Sequence, residues 1–319
     1  MQLTGDDAAL EARLIVATQA LVGDCHAARF GVAVSGGPDS MALLYLAARA
    51  FPGRVAAVTV DHGLRAESAD EAAMVARWCA GQGIVHATLA PDAPVTGNVQ
   101  AWARAMRYRL IEQWRVRQGL DWIMTAHHAD DQAETLLMRL NRGAGLGGLA
   151  GIRASTAIDG CAVPVIRPLL GFRKRELAAI ITESGLPSVQ DPSNRDESFD
   201  RVRMRAHLAK AEWIDPAALA RSAAHLAEAE ATLQAMADDI WQAEAVVRDE
   251  AVIVPETRHA EITARLVARA MATLGGESAP GETAAFLKKL ARRGNFAGIL
   301  IEREAGCYRC SREPPRRSG

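Results

Sequence analysis

The sequence predicts an α/β fold: a parallel twisted sheet with helices on both faces, followed by a smaller, mostly helical domain. Three observations predict it. Short β-type apolar runs alternate with helix-length amphipathic segments over the first two thirds of the chain, a pattern that demands right-handed crossovers. A Gly-Gly-Pro turn joins the first run, Phe30–Val34, to an apolar, alanine-rich segment, Met41–Ala50. Beyond Asp215-Pro216 the alternation stops and alanine-rich helical sequence takes over.

In order, residues 1 to 29 read as a helix covering one side of the sheet. Phe30-Gly31-Val32-Ala33-Val34 enters the loop Ser35-Gly36-Gly37-Pro38-Asp39-Ser40, and Met41–Ala50 leaves it. Such a strand, loop and helix N-terminus aim unpaired backbone N–H groups and the helix dipole at one point, an anion site. Glycine allows close approach, and Ser35 and Ser40 add hydroxyl donors. Asp39 repels phosphate unless a divalent cation lies between them. The loop has no lysine and no G-x-x-x-x-G-K-S/T pattern, so it is not a P-loop.

Arg54–Val60 is the second strand, Glu67–Gly81 a helix, Ile84–Leu89 the third strand, and Val99–Arg117 a helix capped by Asn98. Trp122–Thr125 is the fourth strand and Asp130–Arg142 the next helix. Ligands of such sheets bind beyond the carboxyl ends of the strands. Ser35, Asp61 and His127 all fall there, so they converge although far apart in sequence. Between the fourth strand and its helix stands Ala126-His127-His128-Ala129-Asp130-Asp131-Gln132-Ala133-Glu134-Thr135. One carboxylate is explained as a helix cap; two histidines before two aspartates are not. If the helix begins early, His127 and Asp131 are one helical turn apart and both can face one site. Asp131 with Asp39 would complete a magnesium site. Zinc is the competitor, and hard oxygen ligands beside a nucleotide loop favour magnesium.

Composition sets the bounds. The chain has 319 residues, 49% hydrophobic and 24% charged, with net charge −1: ordinary for a two-domain soluble globular protein. No apolar run reaches transmembrane length, and the acidic start, Met1–Ala12, lacks the basic region of a signal peptide. The expectation is a cytoplasmic protein with no membrane partner. Five scattered cysteines form no disulfide framework, and the lone C-x-x-C at Cys307 and Cys310 reads as a coincidence in a hairpin. Basic residues cluster at Arg104, Arg107, Arg109, Arg115 and Arg117, at Arg201, Arg203, Arg205 and Lys210, and at Arg167, Arg173, Lys174 and Arg175; phosphate of a nucleotide or RNA is the expected partner of the arginines. Gly143–Gly151 is a glycine-rich loop able to close over the site. The domain boundary is placed at 214/215, with 1–214 catalytic. In 215–319 a short strand, Ala251–Pro255, two helices, and a hairpin of Gly298–Arg303 with Cys307–Glu313 follow the long helix 217–247.

Ser35–Ser40 matches the S-G-G-x-D-S signature of the N-type ATP pyrophosphatase superfamily, of adenine nucleotide alpha hydrolase-like fold. Further segments narrow the resemblance: Val60-Asp61-His62-Gly63-Leu64-Arg65, Ala103-Arg104-Ala105-Met106-Arg107-Tyr108, Thr125–Thr135, Arg142-Gly143-Ala144-Gly145-Leu146-Gly147-Gly148-Leu149, and Asp191-Pro192-Ser193-Asn194-Arg195-Asp196. Together the sequence resembles the bacterial tRNA(Ile)-lysidine synthases over residues 30 to about 210.

The resemblance implies a carbon–nitrogen ligase that uses ATP and Mg²⁺ to join free L-lysine to C2 of the wobble cytidine in an isoleucine tRNA with anticodon CAU. It passes through an adenylated cytidine and releases pyrophosphate and AMP. It implies that Ser35, Gly36, Gly37, Pro38, Asp39 and Ser40 bind ATP. Asp39, His127 and Asp131 would be catalytic, and Asp39 and Asp131 would serve the metal. Arg65, Arg104, Arg107, Arg201, Arg203 and Arg205 would contact phosphate or RNA. The second domain would bind tRNA. Where the family reads R-N-R-I-R, this chain has Arg201-Val202-Arg203-Met204-Arg205, keeping the arginines and losing the Asn. The alternative is another tRNA-modifying enzyme of the superfamily, such as a cytidine thiolase, which carries cysteines in its catalytic domain.

Overall fold

The computed structural model describes residues 5–63, 67–91, 99–158, 161–189, 200–248 and 250–312. Arg65, the Asn98 cap and the stretch Asp191–Asp196 lie outside the described residues. The chain divides into two compact units, residues 1–144 with 148–224, and residues 145–147 with 225–319. The division falls inside one long helix rather than at Asp215. No described helix is long and apolar enough to cross a membrane.

The first unit runs α1 (Gly5–Val22), β1 (Phe30–Ala33), α2 (Pro38–Ala50), β2 (Val55–Val60), α3 (Ser68–Gln82), β3 (Val85–Leu89), α4 (Val99–Gln118), β4 (Trp122–Met124), α5 (Ala129–Asn141), α6 (Leu146–Leu149), β5 (Ser155–Thr156), β6 (Val165–Ile166), α7 (Lys174–Glu183), α8 (Asp200–Lys210) and the start of α9 (Pro216–Glu244). Its sheet has the order β3-β2-β1-β4-β6-β5, parallel except for β5 at the edge. The sheet is thus mostly parallel, with an antiparallel edge that two-residue strands did not announce in the sequence.

Alternation along the strands sorts the core. Phe30 and Val32 of β1 and Ala57 of β2 pack with Leu14, Leu43, Leu46, Leu177 and Ile180 from α1, α2 and α7. Ala56 and Val58 of β2 and Ile123 of β4 pack with Tyr108, Ile111 and Trp114 of α4 on the opposite face. Gly31 is required by this second layer: a Cβ there would stand 2.7 Å from both the Trp114 ring and Ile123 Cδ1. The order reverses at β1, with β2 and β3 on one side and β4 and β6 on the other. The crevice between the carboxyl ends of β1 and β4 is therefore the topological switch point, the place where open α/β sheets bind ligands.

The second unit contains the rest of α9, then β7 (Val246–Arg248), β8 (Ala251–Pro255), α10 (Ala260–Thr273), α11 (Pro280–Lys289), β9 (Arg293–Phe296), β10 (Ile299–Glu304) and β11 (Cys307–Arg312). The expected hairpin is β10–β11, and it is extended into an antiparallel sheet of order β7-β8-β11-β10-β9. One face of α10 (Ile262, Leu266, Val267, Met271) covers Val252, Val254, Ile299, Ile301 and Cys310. Buried Arg265 on α10 is matched by Glu230 at 2.7 Å and Glu261 at 2.9 Å, the pairing a buried charge requires. Cys307 and Cys310 are three residues apart on one strand, so they stand on opposite faces of the sheet. They cannot share a metal ion.

Candidate active site at the carboxyl ends of β1 and β4

A cavity of about 1010 Å³ opens at the switch point. It is lined by the β1 loop (Ser35, Gly37–Ser40), the β2 end (Asp61, His62), the β4 end (Thr125–His127), Asp131 of α5, Arg104 and Arg107 of α4, and Arg201 and Arg205 of α8. Of the expected site residues that are described, only Gly36 and Arg203 are absent from the lining. Arg203 is paired with Asp200 on the far side of α8, two residues out of phase with Arg201 and Arg205.

The loop is shaped by its own side chains. Gly36 has φ +86°, a left-handed conformation, and its carbonyl accepts from Val189 N–H at 2.9 Å. Ser40 Oγ donates to Gly37 O at 2.9 Å and accepts from Ser35 N–H at 3.2 Å, closing the turn. Gly37 caps α2 with Pro38 in its first turn, the position where a missing N–H costs nothing. The N–H groups of Asp39 and Ser40, in the first turn of α2, have no intrahelical partner, whereas Met41 N–H already donates to Gly37 O at 3.0 Å. At the β2 end, Asp61 accepts from Ser68 Oγ at 2.6 Å and Gly63 N–H at 2.8 Å. Both bonds hold its carboxyl below the ordinary range and make it a turn-former.

His128 knits the two strand ends together. It is buried, caps α5, and accepts from Asp131 N–H through Nδ1 at 3.3 Å, while its own N–H donates to Asp131 Oδ2 at 3.1 Å. In the tautomer this bonding assigns, Nε2 carries the proton and lies 3.5 Å from both Asp39 Oδ2 and Asp131 Oδ2. Burial, the largest influence, pushes His128 down, but Asp39, Asp131 and Asp130 together outweigh it and raise its pKa. Asp131 is the mirror case: burial pushes it up, and His128 with Arg201 brings it below the ordinary range.

His127 behaves differently. Burial, assisted by Arg167 and Arg201, lowers its pKa to about 4 against the pull of Asp131. It is a neutral imidazole at physiological pH, with Nδ1 3.3 Å from Thr125 Oγ1.

Glu134 is 3% exposed and organises the cationic wall. Its two oxygens take Arg201 Nε at 2.9 Å and Arg205 Nε at 2.6 Å, and both guanidiniums reach Asp131 Oδ1 at 3.3 Å. Two carboxylates one turn apart thus hold two arginines one turn apart. Sequence reasoning quoted Glu134 but gave it no role; the signal was this matched spacing. It also named Lys174 only as one of a basic run. Lys174 lines the cavity from the N-terminus of α7. Among the described residues, Lys174 and Arg107 have no carboxylate partner.

The glycine-rich loop is latched rather than free. Gln132 grips the backbone of Ile152 twice, accepting at 2.6 Å and donating at 2.8 Å. Arg139 donates to Gly148 O at 2.7 Å and Gly151 O at 3.1 Å. Gly151 has φ +65°, and a Cβ there would collide with Gln132.

The family model for the PP-loop domain matches residues 10–212. The tRNA(Ile)-lysidine synthase of Novosphingobium aromaticivorans is 44% identical over 91% of this chain and 90% of its own length. That of Zymomonas mobilis is 40% identical over 91% and 90%. The chain belongs to the tRNA(Ile)-lysidine synthase family. Among solved structures, the U34-tRNA thiolase NcsA from Methanococcus maripaludis aligns over 70% of this chain and 80% of its own, with TM-score 0.56 and 17% identity. That likeness shows a shared fold. Among the described residues of this lysidine synthase family member, no cysteine lines the cavity.

Proposed function

We propose that this enzyme uses ATP to ligate free L-lysine to C2 of the wobble cytidine of an isoleucine tRNA with anticodon CAU, through an adenylated cytidine, releasing pyrophosphate and AMP. The observation that carries the reading is the meeting, in one cavity of a lysidine synthase family chain, of the Ser35–Ser40 loop with Asp39, His127, Asp131 and a wall of arginines.

In this reading the α2 N-terminus and the loop amides take the triphosphate, and the cytosine O2 attacks the α-phosphate. Pyrophosphate leaves, the lysine amine then attacks C2, and AMP leaves. Adenylation is needed because oxide is a very poor leaving group. The first step is positioning and charge stabilisation, which amides and cations supply. Lys174, Arg104 and Arg107, facing the cavity without carboxylate partners among the described residues, stabilise the departing pyrophosphate. Neutral His127 contributes a hydrogen bond, not a charge.

The residues suit Mg²⁺. No group of three or more His, Cys, Asp or Glu able to hold a metal occurs among the described residues, and Mg²⁺ bound to a nucleotide takes one or two carboxylates with phosphate oxygens and water. Asp39, about a third exposed, would be the first ligand, and Asp131, held by His128 and two arginines, would be the second carboxylate. When bound, the ion neutralises charge on the phosphates. Mass spectrometry of tRNA nucleosides after incubation with ATP and lysine tests the reading: lysidine is expected, and its absence with competent tRNA contradicts it.

A further inference from the structure

The turn between α8 and α9 carries Trp213, 87% exposed, the most exposed large apolar side chain among those described. Its backbone is fixed. Ala211 N–H donates to Leu208 O at 3.1 Å and Ile214 N–H to Ala211 O at 2.9 Å. Asp215 caps α9 through Ala217 N–H at 3.0 Å and takes Arg173 at 2.8 Å. Arg173 and the Lys174 N–H in turn bind Asp130, at 3.4 and 2.7 Å. The turn is therefore pinned to the N-terminus of α7, where Lys174 lines the cavity. On its other side it continues α8, which delivers Arg201 and Arg205 to the same cavity. Trp213 therefore stands exposed on a turn of fixed backbone that joins α8 to α9 and is tied to α7, and both α7 and α8 line the cavity. Exposed Lys210 precedes it, and Arg221 lies 4.0 Å from Asp215 of the same turn.

We propose that Trp213 is a stacking platform for an unstacked base of the RNA substrate, next to the cytidine being modified. The inference rests on the ligase reading. For a cytosine O2 to reach an α-phosphate inside a cavity, the base must leave the stack of its loop, and its neighbours lose stacking in the process. Single-stranded RNA is recognised by aromatic side chains that replace that stacking, with cations along the backbone. An indole held open to solvent by a salt-bridged turn fits this use, and the neighbouring cations suit phosphate.

The test measures binding of a CAU anticodon stem-loop, and KM and kcat for full tRNA, with the full-length Trp213→Ala, Trp213→Leu and Trp213→Phe variants. Stacking on an aromatic is worth a factor of about 5- to 150-fold in affinity. The Ala and Leu variants should lose that factor in Kd and KM(tRNA), with KM for ATP and the melting temperature unchanged, and Phe should restore most of it. RNA should also quench a fluorescence component that Trp213→Phe removes. Unchanged affinity in the Ala variant, or rescue by Leu, overturns the proposal. So does a wild-type dimer in sedimentation that Trp213→Ala dissolves, since the indole would then be covered by a second copy. If wild type makes no lysidine, the ligase reading fails while stem-loop affinity still decides for or against Trp213.

Discussion

Asp39 and Asp131 both lie 3.5 Å from one ring nitrogen, Nε2 of His128, and differ in what else holds them. Asp39 is the freer, so Asp39→Asn should cut pyrophosphate release by ~10²–10³-fold, the usual loss for an electrostatic stabiliser, and raise the Mg²⁺ concentration needed for half-maximal rate. Unchanged rate and Mg²⁺ dependence, with circular dichroism intact, would remove it from the site. Glu134→Gln should loosen Arg201 and Arg205, which keep their contacts to Asp131, and lower kcat while the loop still binds ATP; a variant with unaltered kcat would show that Glu134 is not an arginine clamp. The thiols offer an independent check on the core. Burial pushes Cys79 to about 11 and Cys310 to about 12, and Cys25 is also buried. At pH 8 a thiol reagent should label only Cys161 and Cys307 in the native protein and all five when unfolded. The linkage runs one way: the unfolded thiols ionise near 9, so this stability is complete below that pH and is lost as pH rises toward 11–12. At this scale the Ser35–Ser40 loop was legible because its chemistry is local. The Glu134 clamp was not, because its partners lie some seventy positions away on another helix.

Among elements, the packing of α4 against the sheet depends on one missing side chain. Gly31→Ala should destabilise the protein by about 1–3 kcal/mol, the cost of overpacking, since the rigid Trp114 ring cannot yield as a flexible chain end would. A melting temperature equal to wild type would mean the layer is looser than described. The Gln132 latch makes a second claim. Gln132→Ala should speed hydrogen exchange of the Ile152 amide, and equal protection in wild type and variant would show that the loop is held by something else. The alternation of strands and helices was readable from hydrophobic period alone, and with it the switch point. The short strands β5, β6, β7 and β9 were not, because two to four residues are too few to show a period of two. A helix read over Glu282–Arg293 ends instead at Lys289, and Arg293 opens a strand that forms by pairing with β10.

For the whole molecule, a net charge of −1 hides an uneven distribution. Arginine and lysine concentrate at the cavity, so tRNA affinity should fall steeply with salt. Arg107→Gln should reduce the log–log slope by about one unit, because Arg107 has no carboxylate partner among the described residues. Arg203→Gln, already paired with Asp200, should change it less; equal slopes for both variants would refute the contrast. The central claim is that the Ser35–Ser40 loop adenylates a base before lysine takes part. The lysine amine, with a reference pKa near ~10.4, is mostly protonated at neutral pH and has no role until an activated carbon is ready for it. The most direct measurement is exchange of radiolabelled pyrophosphate into ATP with tRNA present and lysine absent. Exchange together with an accumulating AMP-modified tRNA is the predicted result; exchange that requires lysine and proceeds without tRNA would contradict the claim.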